Sequence, residues 1–226
     1  MLQGLIVSCQ ARIDNPLHGP AFMSAMALSA VQGGAKAIRA NGVEDIRAIK
    51  SQVKVPIIGI NKIFSSKSEI YITPNKKSAM EVANAGASII AIDATARHRI
   101  FEPLDEIIKY IKNDLKCLLL ADVSNLDEAL EAEELGADFI ATTLSGYTKT
   151  CPQTNTPDLD LVKILVKKCE KPIIAEGRYE SAKQISSAFK LGATAVVVGT
   201  AITNPREITR KIVNQIEDLS NECSCN

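Results

Sequence analysis

Apolar and polar positions along this chain fall into two alternating textures. Segments such as LIVSCQ, VPIIGINK, KCLLLADVS and KPIIAEG are near-continuous apolar runs bounded by Gly, Pro or a charge, the reading of a strand buried on both faces. Between them the apolar residues recur at helical spacing. Met23, Met26, Ala27, Ala30 and Val31 form one stripe, Leu159, Val162, Leu165 and Val166 a second, and Ile208, Ile212, Ile216 and Leu219 a third. Helix starts are marked at Thr73-Pro74 and Thr156-Pro157, an N-cap followed by proline at the first helical position. Asn204-Pro205-Arg206-Glu207 adds the acidic residue of a capping box.

Four segments repeat one shape: a helical stretch, a Gly-Ala stop, then an apolar strand. They are AVQGGAKAIRA, EVANAGASIIAID, EAEELGADFIATT and SAFKLGATAVVVG, with Gly34, Gly86, Gly136 and Gly192 recurring roughly every 50 residues. Glycine suits those positions because a helix C-cap needs a left-handed residue that bears no Cβ. With the four runs named first, they make eight strands alternating with eight helical stretches. That pattern predicts an α/β protein, a single (β/α)8 TIM barrel over residues 1–219, followed by a frayed polar tail over 220–226. The competing doubly wound sheet would want G-x-G-x-x-G after its first strand, and none is present.

Composition narrows the function. Lys+Arg 26 against Asp+Glu 26 leaves no net charge, so no basic footprint favours nucleic acid or an anionic membrane. No apolar run approaches a membrane span, and no signal peptide precedes the first strand. The six cysteines are scattered, several in core segments, as expected of reduced thiols in a cytoplasmic protein. Cys9 reads as a small buried hydrophobe. His18 and His98 lack partners at ligand spacing, so no metal site is expected. Cys223 and Cys225 are a chance pair in the tail.

In a β/α barrel the active site gathers at the carboxyl ends of the strands. Those ends read Gln10, Arg39, Lys62, Asp93 with Thr95, Asp122, Thr143, Glu176, and Gly199 with Thr200. A polar residue at one strand end is unremarkable; eight in succession, with a lysine and a carboxylate among them, point to a site. Glu176 closes an apolar run, where an ionised carboxylate needs a nearby cation, and Lys62 is the cation this reading selects. Arg97 and Arg99 are equally readable as substrate contacts or as solvated charges. Gly177-Arg178 and Gly199-Thr200, followed by a helix, read as an anion cradle of small residues and backbone N–H groups.

At this point the chain resembles the N-acetylmannosamine-6-phosphate 2-epimerase family. The residues that carry the resemblance are LIVSCQA, the PLH at Pro16–His18, GGAKAIRANG, PIIGINK, YITP at Tyr71–Pro74, IDAT, TTLSGYT from Thr142 to Thr148, AEGR and VGTAIT. They span about Leu5 to Ile212. The resemblance implies inversion at C2 of a phosphorylated N-acylamino sugar, without a cofactor. Lys62 matches the proton-transfer lysine and Glu176 its carboxylate partner. Gln10, Arg39 and Asp122 match pocket residues, with Thr143 beside them as a substrate-binding residue. Gly177, Arg178, Gly199 and Thr200 match the phosphate loops. The chain departs from the family at Ile63-Phe64, Ile100 and Asn204; the last stands in place of an arginine, for which Arg206 or the helix N-terminus is the candidate replacement. A lysine at a strand end also fits a Schiff-base aldolase or lyase, or a barrel that only binds phosphosugars. A homodimer is the expected assembly, with no interface assignable from one sequence.

Overall fold

In the computed structural model, which describes residues 2–149, 151 and 153–224, each of the eight apolar runs is a strand. They are β1 (Gly4–Cys9), β2 (Ala37–Asn41), β3 (Ile57–Ile60), β4 (Ile89–Asp93), β5 (Leu118–Asp122), β6 (Phe139–Ala141), β7 (Ile173–Glu176) and β8 (Ala195–Val198). Every neighbouring pair is parallel, and β8 pairs with β1 to close the ring. The predicted (β/α)8 barrel is therefore the fold. The connecting helices are α1 (Pro20–Gln32), α2 (Val43–Gln52), α3 (Lys76–Asn84), α4 (Leu104–Lys109), α5 (Leu126–Glu134), α6 (Leu159–Lys168) and α7 (Ala182–Lys190). A π-helical turn, Tyr110–Asp114, continues α4. A short helix α8 (Thr200–Thr203) and a long α9 (Pro205–Ser224) end the described chain.

The two-residue period of a strand sorts the apolar residues into two cores. Ile6, Ala37, Ile58, Ile60, Leu120, Ala141, Ile174 and Val197 fill the ring. Val7, Ile38, Ile57, Ile90 and Ile140 face outward, against the helices. Gly59 also faces outward, and it is glycine because α3 lies so close. A Cβ there would sit 2.5 Å from Val82 Cγ1 and 2.6 Å from Ala87 Cβ.

The Gly-Ala repeat has one physical form. Gly34, Gly86, Gly136 and Gly192 have φ between 104° and 107°. The alanine after each donates its N–H to the carbonyl five residues back, Ala30, Val82, Ala132 and Ala188, at 3.0, 3.4, 2.9 and 3.1 Å. That is the closing bond of a Schellman cap, and it occurs at every odd-numbered helix from α1 to α7.

Three expectations change. Thr73 and Thr156 do not cap helices. Asn75 caps α3 and Asp158 caps α6, each accepting from a backbone N–H in the first turn. Thr73, at φ 44°, instead clamps the end of β3, exchanging bonds with Asn61. The stripe on α9 does not enter the core: from Thr209 to Leu219 every residue is exposed, Ile212 by 53 % and Leu219 by 63 %. α9 continues past the expected boundary at 219 through Ser224; Cys225 and Asn226 lie outside the described residues. No helix among the described residues is long and apolar enough to cross a membrane.

Gly59→Ala should lower unfolding free energy by about 1–3 kcal/mol, the usual cost of overpacking, read from denaturant midpoints. An unchanged midpoint would mean that β3 and α3 part more easily than their packing implies.

Candidate active site

The register that fills the ring with Ile6, Ile60, Leu120, Ala141, Ile174 and Val197 also decides which strand-end residues face inward. Two or four positions further along the same strands stand Gln10, Lys62, Asp122, Thr143, Glu176 and Gly199. Arg39, two beyond Ala37, and Asp93, two beyond Ala91, complete the set. All eight strand ends thus share the parity of the interior, which predicts one polar layer across the mouth.

At its centre is Arg39, 1 % exposed. Its Nη1 and Nη2 donate to Asp122 Oδ1 and Oδ2 at 2.9 and 2.6 Å, and Nη1 also donates to Glu176 Oε2 at 2.8 Å. Thr143 Oγ1 donates to Asp122 Oδ1 at 2.5 Å. The backbone of Glu176 is fixed by Thr142, whose hydroxyl accepts its N–H and donates to its carbonyl. The ion partner of Glu176 is therefore Arg39. Among the described residues Lys62 makes no ion pair within 4.0 Å, a correction to the direct pairing expected above; a guanidinium rising from β2 reaches two carboxylates where a single ammonium would reach one.

Lys62 lies just past β3, on a hairpin whose arms pair with each other, Lys62 bridging Ile72 and the N–H of Ile63 donating to the Tyr71 carbonyl. The hairpin is tied to the barrel where the Lys62 N–H donates to Asn41 Oδ1 at 2.9 Å and the Ile72 carbonyl accepts from the Asp93 N–H at 3.0 Å. The Lys62 amine has no hydrogen-bond partner among the described residues. Burial, then the Arg39 charge, lower its pKa to about 8, against the pull of Glu176 and Asp122. At pH 7 about a tenth of such amines are neutral. Glu176 moves the other way. Burial raises its carboxyl above the usual range, offset first by Arg39 and reinforced by Asp122. The two groups thus act on one another electrostatically across the mouth without touching.

Gln10 donates through Nε2 to Ser8 Oγ at 2.8 Å, while its Oε1 is buried without a partner among the described residues, as is Arg39 Nε. Buried polar atoms of this kind are normally satisfied, and a polar ligand in the mouth would satisfy them. The turn after β7 is left-handed at Gly177 (φ 117°) and at Arg178 (φ 61°). The Arg178 guanidinium donates to the Thr156 and Ser145 carbonyls at 2.8 and 2.9 Å and lies over the Tyr147 ring, pinning the β6–α6 loop. Gly199 and Thr200 begin α8, which Thr203 Oγ1 ties to the Ser8 carbonyl at 2.8 Å. Arg206 is held by Asp14 at 3.1 Å rather than aimed at the cradle.

Arg97 donates to Asp93 Oδ2 at 2.5 Å, to Thr95 Oγ1 and to the Glu69 carbonyl. Arg99 donates to the Asp93 carbonyl. Both are built into the β4 end rather than left solvated. Sequence reasoning missed two participants. Arg12 lies on the exposed loop beyond Gln10, and its charge helps to lower the Lys62 pKa. Tyr71 is half-buried, with its phenol pushed up by burial and by Asp122 and Asp93. Membership in the YITP motif is the one signal that could have singled out Tyr71; Arg12 had none.

Comparison with known proteins bears on this layer. A family model described as "Putative N-acetylmannosamine-6-phosphate epimerase" matches residues 23–218. A relative from Clostridioides difficile strain 630, named "Putative N-acetylmannosamine-6-phosphate 2-epimerase", is 49 % identical over 214 residues, covering 94 % of this chain and 96 % of its own. One of the same name from Caldanaerobacter subterraneus subsp. tengcongensis is 49 % identical over 220 residues, covering 95 % and 92 %. Among solved structures, the N-acetylmannosamine-6-phosphate 2-epimerase from Clostridium perfringens superposes with a TM-score of 0.90 at 46 % identity, covering 93 % of this chain and 92 % of that one. Thiamine phosphate pyrophosphorylase from Pyrococcus furiosus, at 17 % identity and a TM-score of 0.62, shares the fold alone. With the model spanning most of the barrel and relatives near half identity along nearly its whole length, the chain belongs to the N-acetylmannosamine-6-phosphate epimerase family.

Proposed function

We propose that this protein inverts C2 of N-acetylmannosamine 6-phosphate to give N-acetylglucosamine 6-phosphate, a step of amino-sugar and sialic-acid breakdown. The observation that carries the reading is one buried layer at the strand ends in which Arg39 bonds Glu176 and Asp122 and the Lys62 amine is left unpaired among the described residues; burial there pushes the amine down to about 8 and the carboxyl up. Opening the sugar ring puts the C2 hydrogen beside an aldehyde, and its removal leaves a carbanion delocalised as an enolate. Inversion then needs one group to take a proton from one face and another to return one to the opposite face. Lys62, neutral, is the base in one direction, and Glu176, protonated, is the acid. In the reverse direction they exchange roles.

Arg39 positions both by holding Glu176 and Asp122, and its Nε–H is the donor assigned to the enolate oxygen. Gln10 and Thr143 contact the sugar from β1 and β6. The turns at Gly177-Arg178 and Gly199-Thr200 take the phosphate through backbone N–H groups, with Arg12 adding positive charge at the rim. The reaction needs neither redox change nor an electron sink beyond the sugar's own carbonyl. A cytoplasmic setting follows from a charged substrate that does not cross membranes unaided. The free thiols Cys9, Cys117, Cys151 and Cys169 agree with it.

The working assembly in this proposal is a dimer. Helices α1 to α7 flank the barrel, while α9 stands off it, with Ile212, Val213 and Leu219 exposed. Phe22 on α1 and Phe189 on α7, the helices on either side of the β8–β1 seam, are exposed as well. A second copy, each supplying its α9 to the other's seam, covers both apolar faces at once.

Lys62→Met should cut turnover by about 10²–10⁴-fold with an unchanged circular dichroism spectrum, and wild-type product formed in D₂O should carry deuterium at C2. Near-normal rates in the variant would remove the assignment. A lysine adduct trapped by borohydride in the presence of substrate would favour the Schiff-base reading instead. In protein carrying ¹³C-methylated lysines, one resonance, absent from Lys62→Met, should titrate near 8. Glu176→Gln should move it lower, because the lost carboxylate had favoured the ammonium; titration in the ordinary lysine range would remove the physical basis of the mechanism. Light scattering should give a dimer mass that falls to a monomer in Ile212→Asp/Val213→Asp, and a monomeric wild type would overturn the assembly.

A further inference from the structure

A cleft of about 630 Å³ opens beside the polar layer, between the hairpin after β3 and the loop after β6. None of the catalytic assignments above uses it. Its walls include Phe64, Tyr71 and Tyr147, with Phe64 stacked on Tyr71 at 5.2 Å between ring centroids. Serines of the hairpin, including Ser66, share the rest of the lining with Glu69, Arg97, Thr148, Lys149 and Gln153. The cleft is braced rather than open-ended. Arg97 ties the hairpin to β4 through the Glu69 carbonyl and Asp93, and Lys149 pairs with Glu69 across the gap at 2.5 Å. Tyr71 joins it to the catalytic layer, since the phenol feels the charges of Asp122 and Arg39.

We propose that this cleft receives the N-acyl group of the substrate, and that it admits acyl chains longer than acetyl. The inference rests on the epimerase reading and on its placement of the phosphate at β7 and β8. In a closed ring of eight strands, β3 and β4 lie diametrically opposite β7 and β8. A sugar phosphate anchored at one side and presenting C2 to Lys62 at the other directs its C2 substituents still further from the phosphate, past the hairpin. Besides C3, which leads back to the phosphate, C2 carries C1, the exchanging hydrogen and the acylated nitrogen. C1 must remain in the buried layer, where its oxygen meets the Arg39 donor. The nitrogen arm is what remains for the cleft, and aromatic walls suit an acyl chain. The cleft is of the size that holds whole small ligands, about 300–1,000 Å³, so an acetyl group would leave most of it empty.

The experiment measures kcat/KM for N-acetyl-, N-propanoyl- and N-butanoylmannosamine 6-phosphate with wild type and with Ser66→Trp. Ser66 is exposed on the hairpin, so the substitution narrows the cleft without disturbing the barrel. Wild type should keep the butanoyl substrate within about threefold of acetyl, and Ser66→Trp should lower butanoyl at least tenfold more than acetyl. A hundredfold loss in wild type on going from acetyl to propanoyl would overturn the proposal while leaving the epimerase standing. Equal effects of Ser66→Trp on all three substrates would do the same, by sending the acyl chain to solvent. Failure of wild type to epimerise even the acetyl substrate would instead strike the reading on which the proposal rests.

Discussion

A single buried guanidinium sets the chemistry of this barrel. Arg39 bonds both Asp122 and Glu176 within a layer from which water is largely excluded. Two carboxylates brought so close would otherwise repel, and either one left without a cation would bear the full cost of desolvation. The same charge acts on Lys62, where it is the second cause, after burial, of the lowered pKa. One cation therefore pulls two neighbours the same way, holding Glu176 down and pushing Lys62 down. Burial, the larger cause at both, raises the carboxyl and lowers the amine, and so brings the two toward each other in proton affinity.

That arrangement is a product of strand parity. Because side chains alternate, the residues that fill the ring dictate which residues crown it. The Ile58–Ile60–Lys62 and Leu120–Asp122 series are single inward rows whose last member has become polar. Gly59 marks the price of the opposite face, where α3 presses so closely that no side chain fits. The Gly-Ala caps serve the other end of the molecule, returning each odd helix into an even strand by one repeated hydrogen-bond pattern.

The barrel, its strand limits, the four left-handed glycines and the inward set of strand-end residues were legible because each depends on local pattern. What the sequence concealed depends on reach across space. Lys62 and Arg39 are both cations at strand ends, and nothing along the chain says which one meets Glu176; that is decided by side-chain length and by the path of the hairpin. That the Arg178 side chain also braces the loop after β6 likewise depends on carbonyls 22 and 33 residues away in the chain. Thr73 and Thr156 had the composition of caps but were outcompeted by Asn75 and Asp158 a short way downstream, Thr73 being held in a left-handed bend by Asn61. The periodicity of α9 promised burial, yet from Thr209 to Leu219 the helix is exposed.

The hairpin after β3 divides two duties. Its stem is paired with itself at Lys62–Ile72 and Ile63–Tyr71 and tied to the barrel at Asn41 and Asp93, which fixes the backbone that carries the amine. The tip, from Phe64 to Lys67, is exposed, and its Phe64 stacks on Tyr71. Relatives could lengthen, shorten or recolour that tip, trading one substrate preference for another, without retuning the proton chemistry beneath. Novelty in this scaffold can accumulate at the doorway while the hearth stays as it was.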